Sequence, residues 1–287
     1  MQHLVYGLMT GAVLAMAATG FALIRKTEGF LNIAHGQFVA LGAFLGYKFY
    51  ASAGLPIAAA AVLAAVCVGA IGVVCAVMVM QPVRDRGDLT QLFTSIGLAY
   101  VIYGLMMGAF GTNVKNFGVD FGAPMEFLGI RLTYGELAIL AVVAASILTL
   151  HVFLTRTPMG MAVRATASNA DLAKVRGIPT ERVGWTVWFV ASAFAGLSGV
   201  LMGLVGAVHA ELGWTQILLI LAVSVLGGLG RVYGVVVASL ALGVVMELST
   251  LVIPASYRIL VAFGALILIL IVRPEGIFTP TRRKQAA

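Results

Sequence analysis

The sequence predicts an all-α protein, a polytopic transmembrane helical bundle of eight or nine spans with one short helix on its cytoplasmic side. Three observations carry this. Hydrophobic residues make up 61% of the 287 residues and charged residues 10%, against roughly 45–50% and about 25% in soluble domains; the mean hydropathy is +1.05. The apolar residues fall into nine segments, most of them near the ~20 residues a helix needs to cross a bilayer. The charges sit mainly in the links between those segments, so residues 1–287 read as a single membrane domain.

In order, the first segment, Leu4 to Ile24, contains Ala15-Met16-Ala17, which looks like a signal-peptidase site. No Lys or Arg precedes it and the apolar run continues past it, so a retained helix is expected. The second, Leu31 to Tyr50, carries Asn32, His35 and Gln37 at its start and reads as a span or as a broken, re-entrant element. The third, Pro56 to Met80, holds Cys67 and Cys75. Eight residues put them about 12 Å apart along a helix, too far for a disulfide, and both are expected to be small hydrophobes. Leu92 to Phe110 and Tyr134 to Leu154 flank a polar link, Thr112 to Thr133. Val183 to Val208 follows the longest polar interruption. The seventh, Ile217 to Leu229, is short and ends in Gly227-Gly228-Leu229-Gly230, a second candidate for a broken element. Val232 to Ile253 and Tyr257 to Val272 complete the series.

Lys and Arg beside membrane ends hold a link on the cytoplasmic side. Arg25-Lys26, Arg84-Asp85-Arg86, the Arg156 to Arg182 loop, Arg231 and the Arg273 to Lys284 tail are therefore expected inside, with a cytoplasmic C-terminus; Thr112 to Thr133, Gly54 and Ala210 to Thr215 fall outside, and Lys48 is tolerated there. The formal charge of +7 is topogenic, and nucleic acid is not an expected partner. Small residues recur at the spacing that lets helices approach closely: Gly7 and Gly11, Gly42 and Gly46, Gly104 and Gly108, and Ala195, Gly199 and Gly203.

The loop at about 155–183 sets Arg156, Arg164, Lys174, Arg176 and Arg182 against Asp171 and Glu181, a net +3. Ser168 with Asp171 reads as a capping box, and Gly177-Ile178-Pro179 as a helix stop. A two-turn helix is marginal in water, so it is expected to dock, in part on another protein.

No metal signature is present: His3, His35, His151 and His209 lie on separate segments, none with a His or carboxylate at i+3 or i+4. There is no G-x-x-x-x-G-K-[ST] phosphate loop and no cofactor is implied. Asn32, His35 and Gln37 bring hydrogen-bonding groups into the bilayer, where the protein or a wet cavity must satisfy them. They either cap the second segment and tie it to a neighbour or line a solute pathway. Glu247, the one carboxylate well inside a predicted span, either joins that pathway or reaches the outer interface.

The Asn32-Ile33-Ala34-His35-Gly36 stretch resembles the N-x-A-H-G motif of permease subunits of branched-chain amino acid ABC importers, and Gly160-Met161-Ala162-Val163-Arg164-Ala165 with Asn169, Ala173 and Gly177-Ile178 resembles that family's cytoplasmic coupling loop. Phe194-Ala195-Gly196-Leu197-Ser198-Gly199, Val225-Leu226-Gly227-Gly228-Leu229-Gly230 and Arg273-Pro274-Glu275-Gly276-Ile277-Phe278 extend the likeness over essentially the whole chain, closest to the H-type subunit. Leu229 and Arg231 flank Gly230 where many relatives have a small polar residue after the glycines. The resemblance implies no enzyme activity in this chain but half of a translocation pathway in a bacterial inner membrane, amid membrane lipid. A second, usually nonidentical permease subunit, two cytoplasmic ATPases and a periplasmic solute-binding protein would complete the machine. It gives ATPase coupling to Arg164, Ser168, Asn169, Asp171, Lys174, Arg176 and Gly177. Urea, amides, aromatic acids or sugars are alternative cargoes, and a self-contained channel or secondary carrier is the reading from another class.

Overall fold

The computed structural model describes residues 1–127 and 130–272. All nine apolar segments are helices: α1 Gln2–Glu28, α2 His35–Ala51, α3 Ile57–Cys75, α4 Asp88–Phe110, α5 Tyr134–Arg156, α8 Thr180–Val205, α9 Leu212–Gly227, α10 Val232–Ser249 and α11 Arg258–Val272. The polar loop adds two more, α6 Pro158–Ser168 and α7 Ala170–Val175. The α3 axis continues through one π turn, Ala76–Met80, and a 3-10 turn, Gln81–Arg86. Among the described residues six helices are long and apolar enough to cross a membrane, which supports a polytopic bundle and meets six of the expected eight or nine spans on length and composition alone. The segments the sequence marks as doubtful, α2 and α9, are short, at 17 and 16 residues.

The Thr112 to Thr133 link is not wholly irregular. It holds a small departure from an all-α fold, an antiparallel pair of strands, β1 Met125–Phe127 and β2 Ile130–Leu132, with Met125 opposite Leu132. Glu126 and Arg131 face each other across it at 2.6 Å, and Gln2 ties it to the start of α1 through both the amide and carbonyl of Arg131.

The core is built on α1 and α2, buried along almost their whole length, with α1 packed chiefly on α10 and α8, and α2 on α8, α3 and α9. In a membrane, with no hydrophobic force between helices, close approach of backbones supplies the packing energy. A Cβ on Gly11 would stand 2.7 Å from the Ser239 carbonyl oxygen and 2.8 Å from Leu240 Cα, so Gly7 and Gly11 are the groove in which α10 lies. Gly42 meets the Gly196 backbone and Gly199 meets the Val39 carbonyl, which joins α2 to α8. The Gly104 and Gly108 pair behaves differently. Among the described residues nothing lies within 4 Å of a Cβ at either, so that pair makes no helix contact there.

The bundle has two distinct ends. At the basic end Arg84 pairs with Glu28 at 3.3 Å, and the Gly230 turn lies on the Lys26 backbone beside the α5–α8 loop. The opposite end collects the β strands and the Lys115–Val208 bridge. Lys48 belongs to this second end, its ammonium 5.5 Å from the centre of the Phe110 ring, a cation–π contact that accounts for a cation there. The Arg273 to Lys284 tail and the Arg273 to Phe278 motif lie outside the described residues.

Candidate functional site

Two helices begin inside the bundle rather than at its ends. With 17 and 16 residues, α2 and α9 measure about 25 Å, whereas the 27-residue α1 measures about 40 Å. Gly29, at φ 87°, turns the chain back after α1, and the segment to Ala34 climbs along the bundle, with the Ile33 amide donating to Ser95 Oγ at 3.1 Å. The first residue of α2, His35, donates from Nε2 to the Ala17 carbonyl at 2.9 Å, eleven residues or about 16 Å up α1 from Glu28. From the other side the chain before α9 descends past Lys115 and the Tyr103 hydroxyl, which donates to Glu211 at 3.0 Å. The two N-terminal turns meet: Gly36 lies on the Gly213 carbonyl, and a Cβ on Gly213 would be 2.5 Å from Gln37 Oε1.

Irregular backbone at that depth persists where protein encloses it or where it lines a cavity. Here the polar groups are only partly used. Asn32 and Gln37 are each 1% exposed, and none of their side-chain oxygens or nitrogens has a hydrogen-bond partner among the described residues; His35 Nδ1 and Thr19 Oγ1 share this condition. Two carboxamides beside two converging helix N-termini, with their partial positive charge, suit an anionic or zwitterionic solute group. The third side of His35 is apolar, with Phe21 edge-on at 5.9 Å, so its ring also holds α2 on α1.

At the basic end the loop is built as two capped helices. Thr157 caps α6, accepting from the Gly160 amide at 3.0 Å, with Pro158 at the first helical position. That helix runs through Ser168, which corrects the expected capping box: Ser168 ends α6, and Asn169 caps α7, its Oδ1 accepting from the Leu172 amide at 2.9 Å. The expected stop is present. Gly177, at φ 81°, donates to Lys174, and Ile178 donates to the Ala173 carbonyl at 3.0 Å, a Schellman pair past Arg176. Only Ala173 of α7 is buried; Leu172 and Val175 are 55% and 83% exposed. Asp171 and Lys174 border a groove of about 360 Å³ with Arg84, Asp85 and Glu181, in which both charge signs are present. Arg164 instead lines a separate cleft together with Lys26 and Arg231.

Residues 3–271 match the family described as the branched-chain amino acid transport system permease component. The chain belongs to that family. Within this permease family it is 27% identical to the high-affinity branched-chain amino acid transport system permease protein LivH of Escherichia coli K12, over 96% of this chain and 94% of the relative. It is 28% identical to the corresponding protein BraD of Pseudomonas aeruginosa, over 96% and 95%. To LivM of E. coli K12 it is 26% identical, over 92% of this chain and 67% of that longer protein. The chain is thus a LivH-like, multi-pass membrane permease.

The four pathway candidates do not converge in this permease. Asn32, His35 and Gln37 gather at the mid-bundle turn, while Glu247 lies toward the opposite end, buried, with Arg258 at 3.0 Å and His3 Nδ1 at 3.7 Å. Glu247 therefore ties α10 to the starts of α11 and α1. Sequence reasoning passed over Gln216 and His209, which with Thr10 are the polar members of a cavity of about 280 Å³ otherwise lined by Met, Leu, Val and other small or apolar residues of α1, α8, α9 and α10. The available signal was Gln216 immediately before the short seventh segment.

Proposed function

We propose that this chain is the H-type permease subunit of an ATP-driven importer of branched-chain amino acids, a single domain forming half of the pathway in a bacterial inner membrane. A LivM-type subunit is the proposed second half, with two cytoplasmic ATPases below and a periplasmic solute-binding protein above. The basic end and the C-terminus face the cytoplasm, in line with the positive-inside rule. Six long helices cross the bilayer, α11 adds a seventh crossing, and counting one or both of α2 and α9, which enter from opposite sides, gives eight or nine.

The observation that carries this reading is α7. A six-residue helix capped at both ends, rooted by Ala173 and presenting Leu172 and Val175 outward at the charged end, is a surface for another protein. Asp171, Lys174 and Arg176 surround that apolar pair, and Arg164, Ser168, Asn169 and Gly177 shape and anchor the loop. In proteoliposomes, leucine uptake is expected to require the cognate ATPases, ATP and the binding protein together; uptake by this subunit without ATPase would identify a self-contained carrier and overturn the proposal. A binding screen on the copurified binding protein reads the cargo.

Asn32, His35 and Gln37 line the solute path in this proposal, and Gln37 offers the clean test. Replacing a buried, unpartnered amide by an apolar group of similar shape removes a desolvation cost of about 1–3 kcal/mol. Gln37→Leu is therefore expected to leave thermal stability equal or raised while uptake falls at least tenfold. Unchanged uptake would return Gln37 to a packing role.

A further inference from the structure

We propose that the cleft between the ends of α1, α5 and α6 and the start of α10 holds the phosphate headgroup of an anionic phospholipid. The cleft has a volume of about 710 Å³. Its polar wall is cationic and comes from three separate elements: Lys26 near the end of α1, Arg164 on α6 and Arg231 in the turn before α10. The Gly230 turn, at φ 78°, packs on the Lys26 backbone and so holds two of these cations on one rim. Among the described residues no Asp or Glu lines the cleft, and neither Lys26 nor Arg164 has a carboxylate within 4 Å. The neighbouring groove at α7 shows the contrast, since there Asp85, Asp171 and Glu181 balance Arg84 and Lys174.

The rest of the lining is what an acyl chain requires. Leu23 on α1, Leu154 on α5, Val163 on α6 and Val232 and Val237 on α10 continue the cleft as an apolar wall. Tyr233 and Val237 are half exposed on the outer face of α10, so the apolar wall opens sideways toward lipid. His151 and the Tyr233 hydroxyl, 2.7 Å apart, bridge the α5 and α10 sides of the opening. A cationic rim above an apolar wall, at the basic end of a membrane bundle, matches a phosphodiester with its chains and not a soluble anion, which gains nothing from the wall. A lipid seated there would join α6, the helix leading into α7, to α1 and α10.

The test is lipid retention by the full chain in detergent, read by native mass spectrometry after exchange into equal parts phosphatidylglycerol and phosphatidylcholine. Wild type is expected to keep phosphatidylglycerol in preference, and Lys26→Gln with Arg164→Gln to reduce that preference by about tenfold or more. Two outcomes overturn the proposal: equal retention of both lipids by wild type, or unchanged preference in the double variant. Displacement of the retained lipid by millimolar inorganic phosphate would also overturn it, marking a free-anion site. If the double variant does not fold, a salt titration of wild type decides, because a charge-driven preference declines as ionic strength rises and an apolar one does not.

Discussion

Replacing Ala170–Arg176 by a Gly/Ser linker is expected to abolish solute-stimulated ATP hydrolysis by the assembled importer while leaving membrane insertion and the fold of the bundle intact. The reason lies in how little of α7 the bundle uses. Its own chain holds it through Ala173, the Asn169 cap and the Gly177 turn, and its longest apolar side chains, Leu172 and Val175, point away from the bundle. Deleting such an element removes almost no buried surface from the permease, so stability hardly changes. It does remove the exposed, rigid tip of the loop, because six residues in one capped helix move as a body and a Gly/Ser segment does not. Leu172→Asp with Val175→Asp, which keeps the helix and spoils its apolar face, is expected to have the same effect through loss of the ATPase from the complex. Hydrolysis that still responds to solute in both variants would take α7 out of the mechanism.

What the sequence made legible was the part of the fold governed by local rules. Nine apolar stretches became nine helices, and the two flagged as irregular, at Asn32 to Gln37 and at Ile217 to Gly230, became the two helices that begin in mid-bundle. Gly177 was readable because a helix stop is written in adjacent residues. The start of the same helix was misread by one position: Ser168 and Asn169 are both good caps, and the choice fell to α6, whose Thr157-Pro158 start carries the helix through Ser168. The cationic cleft was illegible for a different reason. Lys26, Arg164 and Arg231 are brought together only by the packing of α1, α6 and the turn before α10, and no spacing along the chain connects them. The same holds for His3 and Glu247, at opposite ends of the sequence and 3.7 Å apart.

Glycine spacing shows that limit most directly, and it yields the second large effect. Gly42-x-x-x-Gly46 and Gly104-x-x-x-Gly108 are the same pattern, yet Gly42 faces the backbone of Gly196 and Gly104 faces nothing among the described residues. A side chain at Gly199 would drive into the Val39 carbonyl, with Ala43 N 3.0 Å away, so the obstacle is backbone on a neighbouring buried helix and no rotamer change relieves it. Overpacking at a site that can relax costs about 1–3 kcal/mol; here α2 must leave α8, and the cost is expected at or above the top of that range. Because α2 carries Gly36 and Gln37 to their meeting with Gly213 and His35 to the Ala17 carbonyl, the mid-bundle turn would be displaced as well. Gly199→Leu is therefore expected to lose the monodisperse, folded subunit in detergent, whereas Gly104→Leu keeps the fold of the isolated chain. If Gly104→Leu nevertheless prevents copurification of the second permease subunit, the outer face of α4 is where the two halves meet; if Gly199→Leu folds normally, the α2–α8 packing described here is wrong.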